Sequence, residues 1–344
     1  MTALDIGLIG CGRFGQHLAQ NLAAVEGARL VAVADPSAAA ANGAGERFRV
    51  PAYASHRTLL DDPRVAAVIV ATPHASHEVV VAAAAAAGKH IFCEKPMAID
   101  VASAYRMLEA THAAGVKLMV GQVVRLYPLF RRVASVTAAG TLGRVVAFTF
   151  EGLYDITRVG WWANSETMGG LLHSPGVHDL DFLRLICGEA SSVFARQPME
   201  RIQPGVDYQD VVHVSIEFRG GAIGQLAGSV SSLVPCRRGT ILGTDGTLSF
   251  DARAGRIDYA TSNRVQPEGT AARYSEDFSR ADDDDGVRAE LQSFVDWVTR
   301  AAPPLVTAED GLRAVELIDA AYRSIRCGRA IGVPLPRHAD PAVA

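Results

Sequence analysis

The first 120 residues alternate short apolar runs with stretches of helical spacing. LDIGLIG, ARLVAVAD, VAAVIVATP, KHIFCEK and VKLMVG are the apolar runs. Helices are predicted between them at about 13 to 26, 36 to 48, 76 to 87 and 100 to 113. None of the runs keeps the strict alternation of a half-exposed strand, so they predict a parallel sheet covered on both faces. The alanine run from Ala82 to Ala87, stopped by Gly88 and Lys89, fits a helix packed close to that sheet. After Gly121 the pattern changes. VVAFTFEGLY, SSVFARQPME, DVVHVSIEFRG, AIGQLAGSVSS, RRGTILGT and GTLSFD succeed one another, with turn signals such as Thr-Asp-Gly between them. They predict a mainly antiparallel sheet, with helices at about 127 to 138, 175 to 187, 287 to 301 and 308 to 325. The acidic run 282–285 reads as a solvated loop ahead of a helix, and no metal-ligand spacing supports it, so no metal site is predicted.

The predicted class is α/β plus α+β, with one domain over residues 1–121 and another over 122–344, and 344 residues suit two cores. Acidic residues exceed basic ones by 37 to 33, which offers nothing to recruit nucleic acid or an anionic membrane. Five cysteines without C-x-x-C spacing suit a reducing compartment. The apolar runs fall short of a membrane span, and a cytoplasmic protein is expected. Of the 33 basic residues only Lys89, Lys95 and Lys117 are lysines, so a lysine here marks either chance or a place where guanidinium will not serve.

GLIGCGRFG sets Gly10, Gly12 and Gly15 in G-x-G-x-x-G register after a strand and before a helix, with Arg13 and Phe14 between the last two. Gly10 permits the tight turn, Gly12 lets backbone approach a pyrophosphate, and Gly15 allows close helix packing. The next strand ends at Asp35, placed to bind the adenosine ribose hydroxyls. A carboxylate there repels a 2′-phosphate, which favours NAD over NADP. Strand ends in such sheets open on the ligand crevice, so ATPHASH and CEKP should lie along the cofactor. Thr72, Pro73, His74 and His77 read equally as cofactor contacts or as a strand-to-helix turn. Glu94, Lys95 and Gln122 join the cofactor set at the following strand ends.

Together GLIGCGRFG, VAVADP, ATPHASH, GKHIFCEKP, GGLLHSPGVHDLD and EDGLRAVELIDAAYRSIRCGR resemble the glucose-fructose oxidoreductase and inositol dehydrogenase family, Gfo/Idh/MocA. The resemblance implies an N-terminal Rossmann domain and a C-terminal α/β domain on an open sheet, whose exposed face assembles homodimers or homotetramers. It implies that Lys95 contacts both the nicotinamide region and the reacting hydroxyl, and that His178 is the catalytic acid/base. The family aspartate four residues upstream falls on Ser174, and the preceding glycine triplet is reduced to Gly169 and Gly170 after Met168.

The stretch HSPGVHDLD, 173–181, reads from the residues alone as a helix start, with Ser174 as N-cap and Pro175 in the first turn. Helical spacing puts Ser174, His178 and Asp181 on one face, and the helix start and the neighbouring aspartates pull the His178 pKa in opposite directions. Ser174 can orient a ring nitrogen or a substrate hydroxyl, His173 or Asp181 would offset an imidazolium charge that Ser174 cannot, and all three are candidates for binding the substrate. Arg125, Tyr154, Arg158, Trp161 and Trp162, in GQVVRLYP and LYDITRVGWW, are candidates for a sugar's hydroxyls or face. Core packing explains the tryptophans equally well.

The predicted activity is NAD(P)-dependent interconversion of a secondary alcohol and a ketone on a sugar or cyclic polyol. The alternatives are a glycoside hydrolase or epimerase-like enzyme in which hydride leaves and returns, and a cofactor-binding regulator without turnover.

Overall fold

The computed structural model describes residues 3–262, 271–279 and 283–335. In chain order the first unit contains β1 (Leu4–Ile9), α1 (Arg13–Leu22), β2 (Ala28–Ala34), α2 (Ala38–Phe48), β3 (Ala52–Tyr53), α3 (His56–Leu60), β4 (Ala67–Val70), α4 (His77–Ala86), β5 (His90–Glu94), α5 (Val101–Ala114) and β6 (Leu118–Gly121). Its six strands are ordered β3-β2-β1-β4-β5-β6, all parallel. The topology reverses beside β1, which sets the crevice at the C-terminal ends of the central strands. β4 is buried at every position, which is why its sequence, AVIV, carries no polar alternation.

The second unit contains α6 (Pro128–Ala138), β7 (Val145–Asp155), α7 (Ser165–Met168), α8 (Gly176–Cys187), β8 (Ala190–Arg196), β9 (Val211–Phe218), β10 (Ile223–Ser229), β11 (Ser231–Gly243), β12 (Gly246–Asp251), β13 (Arg256–Thr261) and β14 (Ala272–Asp277). Further along the chain come α9 (Asp283–Arg300), α10 (Ala308–Cys327) and β15 (Ile331–Gly332). Nine strands form one sheet, β14-β13-β12-β11-β7-β10-β9-β8-β15, in which only β7 and β10 pair in parallel. β9 alternates buried and exposed positions, the pattern of a sheet with one covered face. Phe130, Phe148, Phe150, Phe182 and Phe250 pack against that covered face, most of them edge-on.

A single boundary at 121/122 does not describe these units. Residues 1–123 group with 284–312, and residues 124–283 with 313–344. Packing explains the return of α9: Phe294 meets Phe92 edge-on at 5.9 Å, and Glu26 donates its backbone N–H to Gln292 at 2.8 Å. Lys117 also donates to the Trp297 carbonyl.

One further expectation is corrected, and two strands were not foreseen. Asp283, Asp284 and Asp285 are not a loop but the first turn of α9, where their charge favours the helix N-terminus, and Asp285 pairs with Arg288. Asp282 lies outside the described residues. The strands β13 and β14 carry too little apolar alternation to be read from sequence, and β14 is exposed at almost every position. Among the described residues no helix is long and apolar enough to cross a membrane.

Candidate active site

The glycine loop of the first unit has the geometry its spacing predicts. Gly10 has φ +99°, and a Cβ there would stand 2.4 Å from the Ala71 carbonyl oxygen. A Cβ on Gly15 would stand 2.0 Å from the Gly10 carbonyl oxygen, so α1 can approach the loop only without one. Gly12 differs: its φ is −65° and a Cβ there would meet nothing within 4 Å. Neither strain nor packing inside the chain demands that glycine. Gly12 is the cap residue of α1, no side chain caps that helix start, and no acidic residue occupies its first turn. These are the conditions for an anion on backbone N–H groups. Arg13 and Phe14 are exposed there. Asp35 accepts backbone N–H groups from Cys11 at 2.9 Å and Ser37 at 2.8 Å, and each carboxylate oxygen keeps acceptor capacity for a ribose hydroxyl.

The C-terminal ends of β4, β5 and β6 are adjacent in the sheet, and polar groups collect there without partners. Thr72 Oγ1, Glu94 Oε1 and both polar atoms of Gln122 are buried and make no hydrogen bond. Glu94 and Gln122 are 5% and 1% exposed. Native proteins pair nearly all such groups, so a cluster of orphans at a sheet's ligand edge marks a place where a bound molecule completes the bonding. Glu94 Oε2 accepts the Lys95 N–H at 3.2 Å. Burial pushes the Glu94 carboxyl up to about 7, against the lowering pull of Lys95.

The histidines of ATPHASH divide. His77 is fully buried with Nδ1 at 2.9 Å from the Pro96 carbonyl and Nε2 at 3.0 Å from that of Thr72. It clamps the loops after β4 and β5 together, which corrects its assignment to cofactor contact. Burial lowers its pKa and outweighs the carbonyls, which raise it. His74 is also buried, its ring 5.8 Å from that of His77. Thr72 and Pro73 are half-buried in the same loop, with the Thr72 hydroxyl itself shielded from solvent. Lys95 precedes a cis peptide to Pro96.

In the second unit most of the substrate candidates are already engaged. Asp181 and Arg125 are buried and joined by two hydrogen bonds of 2.6 Å, a fork-to-fork pair. Asp179 accepts from Arg237 at 2.8 Å and from Tyr154 at 3.2 Å, and Gly152 supplies the room: a Cβ there would stand 2.3 Å from the Asp179 carboxylate. These bonds fix α8 to its surroundings. They correct the expectation that Arg125, Tyr154 and Asp181 offer their polar groups to a substrate. His173 is 4% exposed and stacked on Tyr322, with ring centroids 5.7 Å apart, so it too serves packing.

Ser174 does not cap α8. The cap residue is Pro175 after a cis Ser174–Pro175 peptide, and no side chain makes a capping bond. The Ser174 carbonyl instead accepts from Arg158 at 2.9 Å. Arg158 in turn lies over Trp162 at 5.1 Å, and Trp161 and Trp162 stack at 4.0 Å, both half-buried rather than in the core. His178 stands in the first turn of α8 at intermediate burial between buried neighbours.

The sequence model described as an oxidoreductase family with an NAD-binding Rossmann fold matches residues 4–122, and its companion, the C-terminal α/β domain of that family, matches 137–335. The chain belongs to the Gfo/Idh/MocA oxidoreductase family. Among similar Gfo/Idh/MocA proteins, the myo-inositol 2-dehydrogenase of Thermotoga maritima is 31% identical, over 95% of this chain and 98% of that one. Inositol 2-dehydrogenase 2 of Saccharopolyspora erythraea is 30% identical, over 94% of each chain. Of solved structures, GenD2 from gentamicin A biosynthesis in complex with NAD superposes with a TM-score of 0.86 at 26% identity, over 97% of both chains.

The Gfo/Idh/MocA motifs led to Lys95 and His178 but not to everything the structure brings to the first unit. Glu290, on α9, is fully buried with both carboxylate oxygens unpartnered, and the charges that act on it are those of Glu94 and Lys95. In sequence it is one acid in a helical stretch some 195 residues beyond Lys95, and only its place among apolar positions (Val287, Leu291, Phe294) could have singled it out. Asp179 and Arg237 were likewise missed as partners, since nothing in their local sequences relates them.

Proposed function

We propose that this protein is an NAD-dependent dehydrogenase of a secondary alcohol on a cyclic polyol or sugar, with inositol-type substrates foremost. The observation that carries the reading is the row of unpartnered buried groups, Thr72, Glu94 and Gln122, at the strand ends beyond a glycine loop whose Gly12 the fold itself does not require. The inositol dehydrogenases among its relatives supply the substrate class. Asp35, with both oxygens already aimed by backbone N–H groups, favours the 2′-hydroxyl of NAD over a 2′-phosphate.

A bound nicotinamide dinucleotide would accept or donate the hydride. The chain's own part is binding and proton handling. Gly12 and the α1 N-terminus hold the pyrophosphate, and Asp35 holds the adenosine ribose. Gln122, Thr72 and Glu94 offer donors and acceptors at the nicotinamide end. The Lys95 ammonium stabilises charge developing on the reacting hydroxyl oxygen. The His178 imidazole takes the hydroxyl proton during oxidation and returns it during reduction. Arg125 and Asp181 hold the helix that carries His178. Homodimers or homotetramers form through the open face of the nine-stranded sheet, and the protein works in the cytoplasm.

The test is a screen of purified protein with NAD and with NADP against inositols, aldoses, keto-sugars and anhydrosugars, following absorbance of the reduced nicotinamide. Reduction of NAD by at least one cyclic polyol or sugar is expected. Absence of cofactor reduction across the panel, with NAD binding intact, would move the protein to the reading in which hydride never leaves the site, or to a regulator.

A further inference from the structure

Among the described residues two arginines are buried, Arg125 and Arg158, and their surroundings differ. Arg125 has the Asp181 carboxylate on two of its nitrogens, whereas Arg158, 7% exposed, pairs with no carboxylate among the described residues. Its Nη2 donates to the Ser174 carbonyl at 2.9 Å, and its guanidinium lies over Trp162. Nε is sealed from solvent and makes no hydrogen bond. Nη1 also lacks an acceptor among the described residues, but it is not sealed. The acids of the adjoining segment are engaged elsewhere: Asp207 accepts from Ser165, and Asp210 from Ile202, Gln203 and Ser231. Tyr208 donates its hydroxyl to the Trp162 carbonyl, and burial raises its pKa, so it brings no charge. An uncompensated buried cation is costly, and a fold retains one where a bound group supplies the missing charge.

Both ends of this residue are tied down. The Arg158 backbone N–H donates to Gln203 Oε1 at 3.2 Å, and Gln203 is itself bonded to Ile156, Val230 and Ser231. The guanidinium, through the Ser174 carbonyl, is attached to the turn that leads into α8, where the His178 N–H meets the Pro175 carbonyl at 3.1 Å. Arg158 and the proposed acid/base are thus fixed to the same turn. Trp162, under the guanidinium, stacks on Trp161, and the half-buried pair offers a flat face for a sugar ring. We propose that Arg158 is a specificity residue for a carboxylate, so that the preferred substrate is a cyclic sugar or polyol bearing an acid group, of uronate type. The inference rests on the dehydrogenase reading and narrows its substrate class. One guanidinium balances one carboxylate, whose two oxygens match Nη1 and the remaining Nη2 proton end-on. A phosphate ester, close to doubly charged at neutral pH, would need a second cation there. Neutral inositols and sugars still enter, but they leave the cation to water and bind less tightly.

The test uses matched pairs that differ only in the acid group: glucuronate and glucose, galacturonate and galactose, mannuronate and mannose. With NAD, one of the acids should be turned over with kcat/KM about 10- to 100-fold above that of its neutral counterpart, the range for a hydrogen bond between charged groups. The difference should lie in KM rather than kcat, because the carboxylate is held equally in ground and transition states. Arg158→Met should bring the ratio within a pair to about one, and Arg158→Lys, which keeps the charge without the planar fork, should retain part of it. An arginine that only holds the Ser174 turn would, when replaced, lower both members of a pair alike and leave the ratio standing. Calorimetric titration of the protein in the presence of NAD with the same pairs reads the preference without turnover. The proposal is overturned by wild type that binds no acid more tightly than its neutral partner, by a preference that survives Arg158→Met, or by glucose 6-phosphate preferred over every uronate. If no sugar of either kind reduces NAD, the dehydrogenase reading falls, while an Arg158-dependent preference in the titration still upholds carboxylate recognition.

Discussion

Each half of the molecule buries a group of charged and polar side chains, and the two groups are finished differently. Around α8 every buried carboxylate has its cation: Asp181 has Arg125 and Asp179 has Arg237, with Tyr154 filling in. At the strand ends of the first unit Glu94 keeps one carboxylate oxygen unpartnered, and the Gln122 side-chain amide and the Thr72 hydroxyl make no hydrogen bond. A closed network is what a fold needs to hold a helix in place, because half-made buried bonding costs stability. An open network is tolerated where a ligand or a proton completes it. Among the buried carboxylates, saturation thus separates supporting groups from candidate working ones better than residue type does.

The sharpest break of that comparison is at Lys95. Lys95→Met should lower kcat/KM by about 10²- to 10³-fold, the range found for losing one electrostatic donor to a developing oxyanion, with little change in melting temperature. His178→Asn should cost about 10²- to 10⁴-fold through loss of the acid/base, with NAD affinity kept. Steady-state kinetics and calorimetric titration with NAD check both.

The closed network should respond in stability instead. Asp181→Leu leaves Arg125 buried and uncompensated and should cost about 3 to 5 kcal/mol in denaturant unfolding. The double variant Arg125→Met with Asp181→Leu should recover most of that loss. Gly12→Ala is the reverse case. With φ −65° and open space at the Cβ, it should leave stability unchanged or raise it by about 0.4 to 1 kcal/mol. It should also weaken NAD binding measurably, and equal affinity for NAD would show that the pyrophosphate does not lie there.

The smallest effect is the pH dependence of stability. An ordinary glutamate ionises near pH 4.5, whereas the folded Glu94 holds its proton to about 7. Between those values the folded state binds more protons than the unfolded one, so this group makes stability fall as pH rises through that window and level off above it. Glu94→Gln should flatten the slope of melting temperature against pH between 5 and 8, and a slope identical to wild type would mean that the carboxyl is ionised throughout.

Much of this was legible in the chain. The glycine loop, Asp35 and the Glu-Lys-Pro turn are local in sequence because phosphate binding and strand ends are local in structure, and the periodicity change after Gly121 announced the second sheet. Pairings across long separations were not legible. Tyr154, Arg125 and Asp181 were read as substrate groups because their types suit hydroxyls, and only coordinates reveal that buried partners already occupy them. His77 was misread for the same reason, its two carbonyl partners lying on different loops. Ser174 followed by proline has the composition of a helix cap, but the backbone turns differently there and leaves the cap role to Pro175. The place of α9 with residues 1–123 was hidden because chain order separates it from the sheet it covers.

The most direct test of the central claim follows the hydride itself. Wild-type protein is incubated with NAD and with myo-inositol deuterated at the ring carbons, and the reduced nicotinamide is examined by mass spectrometry. The account predicts one deuterium per reduced nicotinamide, with the rate of its appearance collapsing in Lys95→Met. Reduced cofactor without deuterium, or none formed with this or any other deuterated cyclic polyol or sugar, would contradict it.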